Sequence, residues 1–408
     1  MSHPIEHDHE KARRWYLPMA ARDPSEEHRA ATPLELFFDL CFVVAIALAA
    51  SNLHHQIVEN HIADGVLTFL LVFFGIWWAW MNFTWFASAF DIDDGVYRLT
   101  TFVQMSGALV MAAGVPRIFE SSDSSSWAVA LAGYVVMRLA MVTQWLRAAQ
   151  MDEATRPGAL RYAIGIFVLQ VLWVLRLLFL DGDVGLASFF VLAIGELLVP
   201  VFAEQAARTS WHPHHIAERY GLFTIIVLGE SILAATLAFQ SAFDDDLADV
   251  RLLALAVSAL VIVFSLWWIY FDQAEHPSAS FGAAFRWGYG HLVIFASAAA
   301  VGAAIALAVD QKTDHTAISD ATAALALAIP VALYVLGVWF IHILPNRDGW
   351  MVAAFPICAV LVLVTAAGGL WAFPGVAILL AVLVGLMQYE EERLEALAKS
   401  PVDSASDL

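Results

Sequence analysis

Long apolar stretches of about twenty residues alternate with short polar segments along nearly the whole chain. A bilayer core about 30 Å thick needs roughly 20 mostly apolar residues of helix to cross it, so this pattern predicts an all-α polytopic membrane protein. The predicted transmembrane helices, about twelve, are 33–53, 65–86, 97–117, 126–147, 159–180, 185–204, 217–240, 251–272, 286–309, 318–341, 350–370 and 373–390. No large soluble domain is predicted between them.

Composition agrees with a membrane protein. Of the 408 residues, 61% are hydrophobic and 14% are charged, whereas soluble domains are about 45–50% apolar and 25% charged. The net charge of −19 argues against a nucleic-acid partner. Both cysteines fall inside predicted spans, and the histidine-rich segments 3–10, 53–55 and 212–215 lack the spacing of a metal site. We interpret those histidines as loop residues and predict no metal and no cofactor.

Positive charge is distributed unevenly between the two sides of the predicted membrane region. Of the 20 Lys and Arg residues, five lie in the tail 1–31, two in the tail 392–408 and eight at junctions between an even-numbered span and the next. Arg147 and Arg219 are counted among these junction residues. The positive-inside rule therefore predicts that both termini are cytoplasmic, in a bacterial inner membrane.

The chain is also predicted to be doubled, with one six-helix half at 32–208 and a second at 209–391. Six spans return the chain to the side on which it started, so the two halves are predicted to be parallel repeats. Transporters are often built in this way, with the substrate site near the midplane at the repeat interface. A duplication is also compatible with a channel or an enzyme.

Similar motifs recur in the same order in the two halves. Each half opens with a glutamate before an aromatic-rich helix, Glu35 in the first and Glu218 in the second, and both are candidate site residues. The next helix carries a tryptophan pair, in WWAWMN (77–82) and in WWIYFD (267–272), which aligns Trp80 with Tyr270.

Two segments resemble the signature segments of the bacterial low temperature requirement A family. They are TPLELFFDLCFVVAI (32–46) and AERYGLFTIIVLGESIL (217–233), and GYVVMRLA (133–140) and WGYGHL (287–292) also resemble the pattern of this family. One departure is Cys41, where another apolar residue commonly precedes the phenylalanine. The resemblance implies a multi-pass inner-membrane protein linked to growth in the cold, but it supplies neither a substrate nor a reaction.

Polar residues inside the spans are the candidate functional groups, because a charge at mid-bilayer costs roughly 2.5–3.5 kcal/mol on the insertion scale. Glu230 is predicted near the midplane, with Arg219 three helical turns away on the same face. Glu230 and Glu196 could each bind a proton or cation, or each could form a structural ion pair. Arg138 requires a carboxylate or an anionic ligand, and these two glutamates match its depth best.

Glu35 and Asp39 lie four residues apart and therefore share one face of the first span. Two carboxylates there could bind a cation or share a proton. For Glu35 the alternative is a capping box with Thr32, followed by Pro33 at the first helical position. Asp39 lies deeper and has no such local role.

Three further groups lie near the ends of the spans. Asn82 and Asp272 are predicted close to the cytoplasmic surface, where they could bind the junction arginines Arg98 or Arg286 or form an interfacial girdle of ion pairs. His291 could titrate near neutral pH, or it could be a hydrogen-bonded packing residue.

These residues favour a secondary transporter of an unknown small solute, in which Glu230, Asp39 and Glu196 bind a proton or cation and Arg138 tunes them. An ion channel, and a lipid-related enzyme or scaffold that supports the membrane in the cold, are the alternatives. The expected partners are the lipid bilayer and a small solute or ion. The sequence leaves the oligomeric state open, with a homo-oligomer among the alternatives.

Overall fold

The computed structural model describes residues 15–22, 30–121, 123–151, 153–244, 250–273, 280–313, 316 and 318–399. Within these residues, twelve helices are long and apolar enough to cross a membrane. The prediction of an all-helical, multi-pass membrane protein is therefore confirmed. Most of the predicted tail 1–31, including the histidine-rich segment 3–10, and the end of the tail 392–408 lie outside the described residues.

The twelve helices follow one another along the chain, and each overlaps one predicted span. Their bounds are Pro33–Val58 (α1), Ile62–Ala89 (α2), Gly95–Glu120 (α3), Ala128–Met151 (α4), Arg156–Phe179 (α5), Gly182–Glu204 (α6), Pro213–Asp244 (α7), Val250–Phe271 (α8), Phe281–Lys312 (α9), Asp320–Val338 (α10), Met351–Thr365 (α11) and Ala372–Lys399 (α12). Several helices are longer than the apolar stretch that predicted them, because helical hydrogen bonding propagates into flanking polar residues once a helix has formed.

The start of α1 follows from its sequence. Thr32 accepts a hydrogen bond from the backbone N–H of Glu35 at 3.3 Å, and the Glu35 carboxylate accepts one from the backbone N–H of Thr32 at 2.7 Å. Pro33 occupies the first helical position, where its missing N–H is not needed. The predicted capping box is confirmed, and it fixes the direction in which α1 enters the bundle.

The chain divides into two compact units, and the division falls within α7, between Val227 and Leu228. The first unit contains α1 to α6, the first part of α7 and the start of α9 up to Ala284. In this unit α3 and α4 pack backbone to backbone, since a methyl group added at Gly133 would collide with the backbone of Met111. Small residues of this kind allow close packing of membrane helices.

A short N-terminal segment also belongs to the first unit. Ala20–Ala21 pairs antiparallel with Phe90–Asp91, the residues between α2 and α3. The backbone N–H of Leu17 donates to the Asp94 carboxylate at 2.7 Å. The described residues 15–22 are therefore held against the ends of the helices, which the sequence pattern of a polar tail did not indicate.

The second unit contains the rest of α7, α8, most of α9, and α10 to α12. The Tyr334 hydroxyl on α10 donates to the Leu266 carbonyl on α8 at 3.0 Å. Beyond α10 the chain continues through a π-helical turn, Trp339–Ile343, in which the Trp339 indole donates to the Val352 carbonyl at 2.8 Å. The π turn places His342 in the interior, where it is 2% exposed.

The aligned tryptophan pairs lie in different surroundings. Trp77 and Trp78 of the first unit are buried, whereas Trp267 and Trp268 of the second are 45% and 43% exposed. The doubling of the chain, the boundary at residue 208 and the cytoplasmic location of both termini stay predictions.

Candidate functional site

A buried ion pair joins α1 to the start of α7 in the first unit. The Arg219 guanidinium donates to both oxygens of Asp39, from Nη2 to Oδ1 at 2.6 Å and from Nε to Oδ2 at 3.2 Å. The Trp80 indole on α2 donates to the same Oδ1 at 2.7 Å. Asp39 and Arg219 are both 0% exposed. This fork-to-fork geometry is the strong form of an arginine–carboxylate pair, and here it ties three helices together.

Glu35 joins the same cluster while it caps α1. Its carboxylate lies 3.5 Å from Nη1 of Arg219 and 3.3 Å from Nε2 of His215. Thr84 on α2 lies 3.4 Å from Nη2 of Arg219. Glu35 and Asp39, which were predicted to share one face, are therefore brought to a single arginine. We name Glu35, Asp39, His215 and Arg219 the α1–α7 cluster.

A second buried pair lies on α4 and α6 of the first unit. Nη2 of Arg138 donates to Oε2 of Glu196 at 2.5 Å, and the two side chains are 2% and 0% exposed. Four further side chains donate to the same carboxylate at distances from 3.0 to 3.3 Å; they are Trp78, Tyr134, Gln170 and Trp173. Glu196 thus acts as an acceptor for five donors. Nε and Nη1 of Arg138 find no acceptor among the described residues.

A third ion pair ties the N-terminal segment to the first unit. Arg147 on α4 donates to both oxygens of Asp94 and, at 2.7 Å, to the Leu17 carbonyl. Asp94 also caps α3 by accepting from the Tyr97 N–H at 2.8 Å. Burial by itself raises the pKa of Asp94, but the hydrogen bonds from Arg147 and from the backbone N–H groups of Tyr97 and Leu17 outweigh it, so this pKa lies below its ordinary value of 3.8.

The surroundings of Glu230 differ from those of the arginine-paired carboxylates described above. It lies on α7 within the second unit, it is half-buried, and the described part of the chain supplies no hydrogen bond or ion pair to its carboxylate. The neighbouring Gly229 is exposed, and a Cβ atom added there would meet nothing within 4 Å. Ser231 is buried and donates to the Ala298 carbonyl on α9 at 2.9 Å. Of the two carboxylates that matched Arg138 in depth, Glu196 is its partner and Glu230 is not.

The interior of the second unit contains a group of neutral polar rings on α8, α9 and the π turn. Nδ1 of His291 donates to the Trp287 carbonyl at 2.6 Å, so its Nε2 accepts from the Tyr270 hydroxyl at 3.0 Å. The His342 ring lies 5.7 Å from the His291 ring, centroid to centroid. Neither nitrogen of His342 has a hydrogen-bond partner among the residues described. These hydrogen bonds favour a packing role for His291, one of its two predicted roles.

The family model for the bacterial low temperature requirement A protein (LtrA) matches residues 30–388. The chain belongs to this family. A curated relative, the uncharacterized protein RA0937 of Rhizobium meliloti (strain 1021), is 27% identical over 290 residues, which cover 67% of this chain and 68% of the relative. The resemblance that the sequence indicated is confirmed, and LtrA membership agrees with the twelve candidate spans.

The two segments that resemble LtrA signatures meet in the α1–α7 cluster. Glu35 and Asp39 come from the segment 32–46, and Arg219 comes from the segment 217–233. The ion pair between Asp39 and Arg219 gives these two distant stretches a shared structural role, because each buried charge requires the other. Glu230 belongs to the second segment as well, but it lies outside this cluster.

The predicted pairing of Arg98 with Asn82 or Asp272 is wrong. Arg98 pairs with Asp93 at 2.6 Å, while the Asn82 side chain donates to the Trp78 carbonyl. Asp272 accepts hydrogen bonds from the side chains of Gln273 and Gln388.

Glu218, a candidate because it opens the second predicted half, accepts a hydrogen bond from the Ala31 N–H at 3.0 Å, and its place in a site stays a prediction. Two expectations about histidines need revision. His215, interpreted as a loop residue, is part of α7 and is 0% exposed, and His212 in the preceding loop is 1% exposed. His54 and His55 are part of α1.

The sequence indicated the buried carboxylates better than it indicated the side chains that bind them. Arg219 and Arg147 were counted as cytoplasmic junction residues, although they are 0% and 7% exposed. A signal was available, since a carboxylate one helical turn inside a span, such as Asp39, needs a cation at a similar depth at the start of another helix. The indole N–H groups of Trp78 and Trp80 donate to carboxylates, a role that the tryptophan pattern did not indicate.

Proposed function

We propose that this LtrA-family protein is a proton- or cation-linked secondary transporter of a small solute in the bacterial inner membrane. The observation that carries the proposal is the Glu230 carboxyl, which lies on a candidate membrane span and has no partner among the described residues. Ionisable groups inside membrane spans mark ion and proton pathways in transporters. Glu230 is the residue that we assign to coupling.

The physical basis is the cost of an unpaired charge in hydrocarbon. An ionised carboxylate at the centre of a membrane helix costs about 2.5–3.5 kcal/mol on the insertion scale. A bound proton or a bound cation removes that cost, and contact with water removes it too. Glu230 therefore binds its ion while it faces apolar surroundings and releases it on reaching water, which is the alternation that coupled transport requires.

Asp39 and Glu196 were also predicted to carry protons, and their geometry favours a different role. Each is fully buried and held by an arginine, so neutralising either carboxylate would leave a buried guanidinium unpaired. We assign these two pairs to fixed positions, one holding α1 to α7 and the other holding α4 to α6. A transporter needs such rigid groups of helices, because alternating access moves one group against another.

The predicted topology supports the same function. Parallel six-helix repeats with both termini in the cytoplasm match a common transporter architecture. A twofold repeat supplies only two copies of each group, whereas a selectivity filter uses a ring of carbonyls or charges around one axis. These considerations favour a transporter over a channel.

The test uses the full-length protein in liposomes adsorbed on a solid-supported electrode, with rapid jumps in the concentration of a panel of small solutes at several pH values. Wild type is expected to give saturable, solute-dependent currents whose size depends on pH. Glu230→Gln removes the titrating group with little change in shape, so its currents are expected to lose this pH dependence. Asp93→Asn, at an exposed ion pair with Arg98, is the matched control and is expected to behave as wild type.

A second readout is proton binding near neutral pH, measured with an indicator dye on the purified protein. Glu230→Gln is expected to bind fewer protons than wild type, and Asp93→Asn the same number. Equal proton binding and equal pH dependence in wild type and Glu230→Gln would remove Glu230 from the mechanism. Single-channel conductance in place of saturable currents would overturn the transporter in favour of a channel.

A further inference from the structure

The first unit contains a pocket beside the Arg138–Glu196 pair, since Tyr134 and Trp173 of its lining donate to Glu196. Its walls come from α2, α3 and α4, with one residue each from α5, α6 and the turn before α4. Five aromatic rings line it; they are Phe74, Trp127, Tyr134, Trp173 and Phe189. Concave sites with mainly apolar and aromatic walls are typical small-molecule sites.

Most polar atoms of the pocket wall already form hydrogen bonds to another group of the protein. The Tyr134 hydroxyl and the Trp173 indole both donate to Glu196, at 3.1 and 3.3 Å. Apart from the Trp127 indole, the remaining lining side chains are hydrocarbon or thioether. A ligand with a charge or several polar groups would lose its hydration here without gaining partners, which costs several kcal/mol. The pocket therefore suits an uncharged ligand.

The aromatic rings that line the pocket are held in place by contacts with one another and with neighbouring charged groups. Phe189 lies edge-on to Trp173, with centroids 5.0 Å apart, and Trp127 lies 5.8 Å away. The Arg176 guanidinium lies 5.5 to 6.0 Å from the centroids of these three rings, and its Nε donates to the Gly185 carbonyl at 3.0 Å. Cation–π contacts and hydrogen bonds to Glu196 thus fix the orientation of the rings. A fixed array of aromatic faces is best matched by a flat ring that packs against them.

We propose that this pocket binds a small, uncharged aromatic molecule. Such a molecule partitions into the bilayer and reaches the site without crossing water. The bound molecule contacts the rings of Tyr134 and Trp173, whose polar ends donate to Glu196. Occupancy of the pocket is therefore linked to the Arg138–Glu196 pair by direct contact. The inference concerns binding alone and stands whether or not Glu230 couples transport.

Gly75 offers a way to fill the pocket without disturbing its walls. It lines the pocket, and a Cβ atom added there would meet nothing within 4 Å. Gly75→Leu is therefore expected to occupy the ligand space and leave the fold intact. Gly385 is the matched control, because it lies on α12, is exposed and also has open space at its Cβ position. Leu131→Trp, at another lining position, is a second filling variant in case Gly75→Leu does not fold.

The experiment measures radiolabelled naphthalene bound to the full-length protein in lipid nanodiscs, by scintillation proximity. Saturable binding is expected, with displacement by unlabelled naphthalene and at least tenfold weaker displacement by 1-naphthoate, its charged analogue. Gly75→Leu and Leu131→Trp are expected to weaken binding at least tenfold, whereas Gly385→Leu and Glu230→Gln bind as wild type. A failed transport test therefore leaves this result in place.

Three outcomes would overturn the proposal. The first is uptake that does not saturate, which is partition into lipid only. The second is wild-type affinity in a correctly folded Gly75→Leu or Leu131→Trp protein. The third is displacement by decane as effective as that by unlabelled naphthalene, which would show a pocket for acyl chains rather than for rings.

Discussion

The two compact units bury polar side chains in different chemical states. In the first unit the interior groups are charged and paired, with Asp39 on Arg219 and Glu196 on Arg138. In the second unit the interior group consists of Tyr270, His291 and His342, and its hydrogen bonds join neutral rings and a backbone carbonyl. A paired charge is costly to break, whereas a neutral network tolerates change more easily.

The comparison is sharpest at two positions that align in the sequence. Trp80 and Tyr270 are both buried, and each directs its polar end to a group on a neighbouring helix. Trp80 donates to the Asp39 carboxylate, whereas Tyr270 donates to the His291 ring. A shared aromatic pattern therefore preserves the place of a buried hydrogen bond without preserving its chemistry, and the partner decides how much stability depends on it.

The largest effect is expected from breaking the α1–α7 cluster. Arg219→Met removes the buried cation and leaves Asp39 ionised in an apolar interior, so unfolding in mixed micelles should become easier by about 3–5 kcal/mol. The free energy of unfolding, measured by titration with a denaturing detergent, checks this value.

The double variant Asp39→Asn with Arg219→Met is the control for this first prediction. It removes both charges, so it should recover a large part of the loss. If the loss in the double variant equalled the losses of the single variants Asp39→Asn and Arg219→Met added together, the charge pairing of Asp39 and Arg219 would not be what stabilises this region.

The aligned tryptophans give the next largest difference. Trp78→Phe removes an indole N–H that donates to Glu196 at 3.0 Å, and a hydrogen bond to a charged group is worth about 1.5–3 kcal/mol. Trp268→Phe changes a side chain that is 43% exposed, and surface substitutions stay within about 0.5 kcal/mol. Unfolding titrations of the two variants compare them directly. Equal losses would show that the two positions have the same role despite their different burial.

Much of this fold was predictable because the bilayer sets the length of its helices. Apolar stretches of the right length predicted all twelve candidate spans, and the Thr32–Glu35 spacing predicted the cap of α1. These features depend on residues close together in the chain. The family was likewise predictable from two short segments.

The site was harder to predict because its partners lie far apart in the chain. Asp39 and Arg219 are 180 residues apart, and Arg138 and Glu196 are 58 apart. Hydropathy gives a depth for each residue, but it does not say which helices are neighbours. The sequence places Arg219 at a junction between spans, and only packing shows that it binds Asp39. The pocket has no motif at all, because six separate elements supply its walls.

A smaller effect is expected at Asp94, which lies at the helix ends of the first unit. The pKa of its carboxyl is lower in the folded protein than its ordinary value of 3.8. Such a group stabilises the fold above its unfolded-state pKa, and this stability is lost as the pH falls through the folded-state pKa. Wild type should therefore lose stability as the pH falls below about 4. Asp94→Asn should be less stable than wild type near neutrality, and its stability should depend less on pH in the acid range. Unfolding midpoints across pH test this, and parallel curves would exclude Asp94 as the titrating group.

The smallest change is expected at His342 in the second unit. Both of its ring nitrogens lack partners among the described residues, and a buried polar group left unsatisfied costs about 1–3 kcal/mol. His342→Leu removes that cost and loses some ring packing, so stability should stay within about 1 kcal/mol of wild type or rise. His291→Leu is the matched control, because it strands the Tyr270 hydroxyl and should destabilise. If His342→Leu were the more damaging of the two, His342 would hold a partner that its ring nitrogens need, and the second unit would rely on polar pairing as strongly as the first.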